Sequence, residues 1–450
     1  MALSGLEIYK LLPKTNCKDC GFPTCLAFAM KLAAKQVDLD ACPHVSAEAK
    51  EALSAAAAPP IRLVKLGTGA REFGVGNETV MFRHEKTFFN KPGLALRVKD
   101  TEPADVIGAK VAQANAYSVE RVGIHMTFNA IAVQNASGNA GTFAKAVETV
   151  RAGTDLPLVL MSDDPGAIKA GLVKDSGRKP LVFAATTANW EAMAAAAKTG
   201  GASLVAAAAG GADGLDELAD LTKKLSDAGV TDLVLDPGGR DLATALAQVT
   251  QLRRLALKKN FRPLGYPIIT FAGDGAANEL EEIVAATQQI AKYSGIVVLD
   301  HFDPAIAYPL LTLRLNIYTD PQKPISVDPG LYEFNNPTAD SPLLATTNFS
   351  LTYFSVAGEL DGSGLPAWLV VCDAEGMSVL TAWAAGKFDA ETIAKAVKNY
   401  AAGKIGHKKV TIPGFVAVLS GELEEELPGW EIGVGPREAV DIPAYLRQWK

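Results

Sequence analysis

An α/β chain in three parts is what the sequence predicts: a small cysteine-bearing head, a central (β/α)8 barrel of the TIM type, and an α/β tail, spanning residues 1–57, 58–325 and 326–450. Three observations carry that expectation. Three of the five cysteines crowd the decapeptide NCKDCGFPTC at residues 16–25, and a fourth follows closely. From about residue 60 to residue 325, short β-rich apolar runs alternate with longer alanine-rich stretches of helical pattern. Turn-forming residues then cluster in FNNPTADSPLLATTNFS before a tail in which helix and strand patterns mix. A chain of 450 residues is long enough for about three domains and a substantial core.

Composition narrows the functions open to it. A formal net charge of -7 and a pI near 5.5 argue against a general nucleic-acid binder, which would need a basic face for phosphate contacts. No apolar run reaches the roughly 20 residues of a membrane span, and the start MALSGLEIYK lacks the charged-then-apolar pattern of a secretory signal. The expected compartment is the cytoplasm.

In the head, Cys17, Cys20, Cys25 and Cys42 fall in the pattern C-x2-C-x4-C-x16-C. In a reducing compartment, four cysteines gathered in an otherwise cysteine-poor chain point to metal rather than disulfides. Structural zinc tends to use two separated C-x2-C knuckles. Here three ligands share one loop and a fourth, followed by Pro43, arrives from a distance. That layout favours a [4Fe-4S] cluster with one thiolate per iron, with zinc and reduced thiols as the alternatives. LAFAMKLAAKQVDLD, between Cys25 and Cys42, has apolar residues at helical spacing, so a helix of about four turns is expected to return the chain to Cys42. His44 reads as a surface neighbour rather than a ligand. SAAAAPP, residues 54–60, reads as a linker.

The barrel strands are expected at TVMFRH, TFNAIAVQ, LPLVLMS, PLVFAAT, SLVAAAA, DLVLDP, PIITFA and GIVVLD. No Gly-x-Gly-x-x-Gly follows an early strand, which disfavours a dinucleotide fold. Polar residues at strand ends are the candidates for chemistry: Arg83, His84 and Glu85 after the first, Asp163 and Asp164 after the third, Asp236 in DPGG, and Asp300 with His301 after the eighth. They suit acid–base work or a grip on a pterin-like ring, and equally the capping of helices in βα loops. RRLALKKNFR, residues 253–262, is expected on a helix with its charges spread over a solvated or partner-facing side.

In the tail, LTYFSVAGEL, AWLVVCDAEG, SVLTAWAAG, GFVAVLSGEL and WEIGVGP read as strands. DAETIAKAVKNYAAG and the terminal REAVDIPAYLRQW read as helices. Cys372 reads as a buried apolar filler.

NCKDCGFPTCLAFAMKLA with its later CP, the barrel behind it, and the segments TTNFSLTYF, GMSVLTA and GVGPREA together resemble the large subunits of corrinoid/iron-sulfur proteins of the reductive acetyl-CoA pathway and their archaeal counterparts, the gamma subunits of acetyl-CoA decarbonylase/synthase. The resemblance runs over essentially the whole chain, with no departure at the four cysteines. It implies a methyl carrier whose tail is a corrinoid-binding domain. Its cobamide cobalt takes a methyl group from methyltetrahydrofolate through a separate methyltransferase and delivers it to acetyl-CoA synthase/CO dehydrogenase. The [4Fe-4S] cluster, fed by a donor such as ferredoxin, restores Co(I) from Co(II). It also implies a heterodimer with a small subunit that helps cover the corrin, and no nucleic-acid or membrane partner. The hard chemistry belongs to the cofactor, so no catalytic side chain is assigned.

By the family's tail motifs, the corrinoid contacts are expected at Thr346 and Thr352, at Gly376, Met377, Ser378 and Val379 in a turn entering a strand, and at Ala439. Asp-x-His-x-x-Gly, by which many methyl-carrying cobalamin domains supply a histidine, is absent from the sequence. His407 in GKIGHKKV is the last domain's only histidine and lacks those neighbours, so cobalt bound without a protein histidine is expected. Two rival readings are a methyltetrahydrofolate methyltransferase built on the barrel itself, and an iron-sulfur electron-transfer subunit without corrinoid.

Overall fold

The computed structural model describes residues 5–33, 37, 39–46, 49–50, 53, 59–85, 88, 90–121, 124–211, 214–319 and 325–449. The chain divides into two compact units, Met1–Tyr117 with Thr127–Tyr318, and Ser118–Met126 with Thr319–Lys450.

In the first unit the head contributes helices α1 (Gly5–Leu11) and α2 (Cys25–Ala33) and a 3-10 turn at Leu39–Ala41. They enclose a small core of Ile8, Leu12, Phe28, Ala29 and Leu53 with Cys25 and Cys42. The helix expected to run to residue 40 is observed as far as Ala33. Residues 34–36 and 38 lie outside the described residues, as does the alanine tract 54–58.

The barrel strands are β1 (Gly93–Lys99), β2 (Ala130–Gln134), β3 (Leu158–Met161), β4 (Leu181–Ala185), β5 (Ser203–Ala207), β6 (Leu233–Asp236), β7 (Ile269–Phe271) and β8 (Ile296–Leu299). All pair in parallel, in the order β6-β5-β4-β3-β2-β1-β8-β7. A parallel bridge between Leu235 and Ile268 closes the ring. Nearly every strand residue is buried, because parallel strands are covered on both faces and so read as continuous apolar runs. An antiparallel hairpin, Val64–Leu66 with Phe73–Val75, joins the interior core beside Ala95, Leu181, Val205 and Ile296 and stops the end where the strands begin. At the opposite end the loops are short. Asn139, Asp164, Asp241, Asn278 and Asp303 each accept backbone N–H groups of the following helix, as N-caps do.

The first strand differs from expectation. Residues 79–84 form no strand, with a bend and turn over 81–85, and β1 is GLALRVK. TVMFRH attracts a strand reading by its β-branched and aromatic residues, yet burial on both faces favours the small and aliphatic side chains of GLALRVK. Arg83, His84 and Glu85 therefore do not end a strand. Arg83 donates to the carbonyl of Asn316 at 2.6 Å, in the last turn of the helix Pro304–Ile317. Barrel helices run opposite to the strands, so this group lies at the end away from the mouth. Arg253, expected on a solvated face, is only 3% exposed. It donates to Glu78 at 2.9 Å and to the carbonyl of Val80, between the rings of Phe88 and Tyr293.

The second unit is a five-stranded sheet: β9 (Gly330–Phe334), β10 (Leu343–Thr347), β11 (Ala367–Cys372), β12 (Lys409–Ile412) and β13 (Glu431–Val434), in the order β9-β11-β10-β12-β13. Only β9 is antiparallel. Helices cover both faces. Leu344, Leu369 and Val371 pack against Leu360, Ile442 and Leu446 on one side, and Leu343, Ala345, Val370 and Cys372 pack against Phe388, Ile393, Leu419 and Leu423 on the other. Burial pushes the Cys372 thiol up to about 12, as befits a core filler.

Three expected strands are helical here. LTYFSVAGEL lies in Ser350–Gly362, SVLTAWAAG in Val379–Ala384, and GFVAVLSGEL in a 3-10 turn at Gly414–Leu419 running into Ser420–Glu426. Their buried residues recur every three or four positions, as Val416, Leu419, Leu423 and Leu427 do, so helical period overrides β propensity.

Removing one partner of a buried ion pair leaves an uncompensated charge. Glu78→Ala should cost about 3–5 kcal/mol and lower the urea midpoint of the barrel transition, whereas Glu78→Ala with Arg253→Met should recover most of the loss.

Candidate functional site

Around the first three cysteines the backbone curls, with left-handed φ at Lys14, Asn16 and Lys18. Asn16 holds the curl against the start of α2: its Oδ1 accepts the Cys25 N–H at 2.8 Å, and its own N–H donates to Cys25 Sγ at 3.4 Å. The Thr24 hydroxyl caps the helix by accepting the Ala27 N–H. Cys25 and Cys42 are buried, Cys20 packs at the edge of the same core, and Cys17 is exposed. His44 Nε2 meets Asp19 Oδ2 at 2.6 Å, tying the three-cysteine loop to the segment that carries Cys42. Ligand atoms of Cys17, Asp19 and His44 lie within 4.8 Å of one another. The hydrogen bond from His44, and then that from Cys17, holds the Asp19 carboxyl below its usual range. Four soft thiol donors, an N–H aimed at one sulfur and an apolar wall on one side suit an iron-sulfur cluster.

In the second unit the chain passes from β10 to β11 on one side and then to β12 on the other. Open parallel sheets bind ligands where strand order reverses in this way, outside the carboxyl ends of the strands. β10 and β12 are in register at Leu344↔Thr411 and then part. A cavity of about 370 Å³ opens beyond that pair. Its walls come from Thr346 on β10, Thr352 and Ser355 on the helix Ser350–Gly362, Ser378 and Val379, and the two loops around Pro413 and Pro436–Ala439. Thr346, Thr352, Ser378, Val379 and Ala439 are therefore brought together. Gly376 and Met377 are not on the wall. Met377 packs against the core beneath, and Gly376, with φ of +71°, closes a turn. Asn348 Oδ1 accepts the N–H groups of Ala374 and Gly376 at 2.9 and 3.0 Å, and its Nδ2 donates to Asp373. The turn enters a helix capped at Ser378 rather than a strand.

One wall atom is unsatisfied. Thr346 is 1% exposed, and its Oγ1 has no hydrogen-bond partner among the described residues. A buried hydroxyl left unpaired costs free energy that a polar ligand group relieves. The facing loops come very close: the Gly414 N–H donates to Pro436 O and the Gly435 N–H to Ile412 O, both at 2.9 Å. A Cβ on Gly414 would lie 2.5 Å from Gly435 O. On the rim, the Arg437 guanidinium sits over the Phe415 ring at 6.0 Å. These loop residues escape a reading that takes GFVAVLSGEL for a strand, although IPGF and GVGP are visible as paired strand-end turns.

His407 takes no part in this cavity. Its Nε2 lies 2.9 Å from Ser341 O, and its Nδ1 accepts the Lys409 N–H at 3.2 Å. A carbonyl only accepts and an amide N–H only donates, which fixes the Nε2–H tautomer. Ser341 precedes β10 and His407 precedes β12, so the ring lies at the sheet edge opposite the cavity, roughly 15 Å away at about 3.3 Å per strand residue.

At the barrel mouth, Asp164 is a helix cap. Asp236 and Asp300 are instead tied to arginines: Arg97 takes Asp300 through both carboxylate oxygens at 2.6 Å, and Arg240 takes Asp236 at 2.9 and 2.6 Å. Glu282 accepts from the Asp300 N–H and pairs with His301 Nδ1 at 2.6 Å.

A family model described as CO dehydrogenase/acetyl-CoA synthase delta subunit matches residues 63–446, and an Fe-S cluster model matches residues 12–44. The corrinoid/iron-sulfur protein large subunit of Moorella thermoacetica is 48% identical over 448 residues, covering 99% of both chains. The acetyl-CoA decarbonylase/synthase complex subunit gamma of Methanothermobacter thermautotrophicus is 35% identical over 458 residues, again 99% of each. Dihydropteroate synthase from Thermus thermophilus, a solved structure, is similar over 57% of this chain and all of its own, at 17% identity and a TM-score of 0.40. The family model carries a delta-subunit description, but the full-length relatives match over 99% of this chain, the head included, and are large or gamma subunits. The chain belongs to the family of corrinoid/iron-sulfur protein large subunits and acetyl-CoA decarbonylase/synthase gamma subunits.

Proposed function

We propose that this chain is the cluster-bearing, cobamide-holding subunit of a methyl carrier in acetyl-CoA metabolism. The observation that carries the reading is the cavity at the reversal of strand order, with the orphaned Thr346 hydroxyl on its wall and no histidine on that wall among the described residues. When bound, the cobamide supplies a cobalt that carries the methyl group, and the [4Fe-4S] cluster supplies single electrons at low potential.

The protein's part is to hold, orient and exclude water. Thr346 and Thr352 offer hydroxyls to the corrin's amide side chains, and Ser378, Val379 and Ala439 complete the wall. Gly376 and Met377 act from behind it, through the turn that Asn348 fixes. Arg437 is a cation on the rim suited to the phosphodiester of the cobamide's nucleotide loop. His407, the one histidine of residues 326–450, is committed to the far edge, and no histidine lies on the cavity wall among the described residues. Cys17, Cys20, Cys25 and Cys42 hold the cluster in the head.

In this reading the chain is a carrier rather than a catalyst. It pairs with a small subunit that covers the corrin, and serves a methyltetrahydrofolate methyltransferase, an acetyl-CoA synthase/CO dehydrogenase and a ferredoxin-type donor in the cytoplasm. No helix among the described residues is long and apolar enough to cross a membrane. A purely electron-transferring subunit would have no use for the cavity.

Anaerobic co-purification with the small subunit, followed by metal analysis, should find about four irons and about one cobalt per pair. Iron without cobalt would sink the carrier reading. Cys25→Ser should lose iron and keep cobalt. Thr346→Val should weaken cobamide retention about fivefold, the worth of one hydrogen bond. His407→Gln should leave the optical spectrum of the reduced holoprotein unchanged, and a shifted cobalt band would mean that the imidazole does reach the metal.

A further inference from the structure

Inside the barrel, Ala95, Val234, Ile269 and Val298 face the interior core, so by strand alternation Arg97, Asp236, Phe271 and Asp300 face the same interior one layer nearer the mouth. Arg240 follows Asp236 by four residues, and the DPGG turn folds it back over the barrel axis. The Gly238 N–H donates to Asp236 Oδ1 at 2.9 Å to close that turn. The guanidinium then makes three kinds of contact. Its Nη1 and Nη2 give a two-pronged edge to Asp236, which is 1% exposed. Its Nε lies 3.2 Å from Asp274 Oδ2. Its face lies over the Phe271 ring at 4.8 Å, a ring itself set edge-on by Phe183 at 5.0 Å. Asp274 is held on its other oxygen by Arg97 at 2.6 Å.

A buried carboxylate reading two adjacent N–H donors along one edge, with an aromatic ring under the flat face, is how a protein recognises a planar guanidine. Free arginine side chains are one case. The 2-amino-4-oxopyrimidine ring of a pterin is another, since its ring N–H and exocyclic amino group form the same edge on the same flat system. We propose that the barrel mouth is a pterin-type site that Arg240 of the same chain occupies, so the barrel is closed to such ligands while Arg240 is in place. Nothing else in the mouth needs to change to open it. Asp236, Asp274 and Phe271 are positioned by the strand ends, by Gly238 and by Arg97. A cavity of about 470 Å³, bordered by Gly273, Glu282 and His301, opens at the same end of the barrel.

The test is a titration of the holoprotein, wild type and Arg240→Ala, with 2-amino-4-oxopteridine followed by its fluorescence, and with guanidinium chloride at low millimolar concentration as a competitor. Wild type should show no saturation up to about 1 mM, and Arg240→Ala should bind about tenfold or more tighter, the worth of two charge-assisted hydrogen bonds. Guanidinium should displace the pteridine, and Asp236→Asn in the Arg240→Ala background should abolish binding. Equal binding by wild type and Arg240→Ala would overturn the proposal, as would a folded Arg240→Ala protein that takes neither probe. Should Arg240→Ala fail to fold, Arg240→Gln keeps a donor to Asp236 while uncovering Phe271, and the same two outcomes apply to it. Iron and cobalt contents of the same preparations depend on the head and the second unit, so a failure of the carrier reading would appear there and not in the pteridine titration.

Discussion

Parallel strands deliver all their carboxyl ends to one edge, and where their order reverses the two loops that follow are led apart. That constraint creates the cavity of the second unit. After Leu344↔Thr411 the backbones of β10 and β12 are no longer paired, and the space between them must be closed by side chains or by a ligand. Side chains close it only in part. Part of the wall is small or moderate in size, at Thr346, Thr352, Ser355 and Val379, and Thr346 presents a hydroxyl that no group among the described residues answers. The rest of the unit holds that opening in shape. Asn348 fixes the 373–376 turn, two glycines let the Pro413 and Pro436 loops touch, and helices on both faces bury the sheet beneath.

The barrel meets the same constraint with the opposite result. Its eight strands also end at one edge, but there the interior layer is filled from within by Arg97 and Arg240, paired with Asp236, Asp274 and Asp300. Burial alone pulls both guanidinium groups down. The hydrogen bonds and charges of Asp300 and Asp274 on Arg97, and of Asp236 and Asp274 on Arg240, outweigh it, so both stand above the usual arginine range. Ion pairs taken out of water return little net stability, because desolvation offsets most of the attraction. Such a network is better understood as holding geometry than as holding the fold together. The fold rests on the interior layers of alanine, valine and isoleucine and on the hairpin that stops the far end.

The head follows a third rule, that of small modules. Its core is a handful of apolar residues around Cys25 and Cys42, too few to stabilise an independent domain well. A bound metal centre is the usual supplement at that size, since metal binding then contributes to folding directly. The Asp19–His44 pair draws the two cysteine segments together, and the Asn16–Cys25 bonds hold the three-cysteine loop in shape, without relying on core area.

By itself the sequence determined the composition of each site. The C-x2-C-x4-C-x16-C spacing offered four candidate donors in the head, seven of the eight barrel strands were visible as apolar runs between helical stretches, and the tail motifs pointed to Thr346, Thr352, Ser378, Val379 and Ala439, which share one cavity. Tertiary structure decided three matters that local pattern does not encode. GLALRVK rather than TVMFRH opened the barrel, because a strand covered on both faces selects for fit between layers and not for β propensity. The segments around Tyr353, Ala382 and Val416 became helices, because the sheet they cover offers a flat apolar face on which buried residues must recur every three or four positions. Asp300, which looked like Asp236 as a strand-end acid, was committed to Arg97, 203 positions away in sequence, whereas Asp236 meets Arg240 only four residues on. A carboxylate's role depends on which charge meets it: the local DPGG turn brings Arg240 to Asp236, whereas only the closed ring of strands brings Arg97 to Asp300.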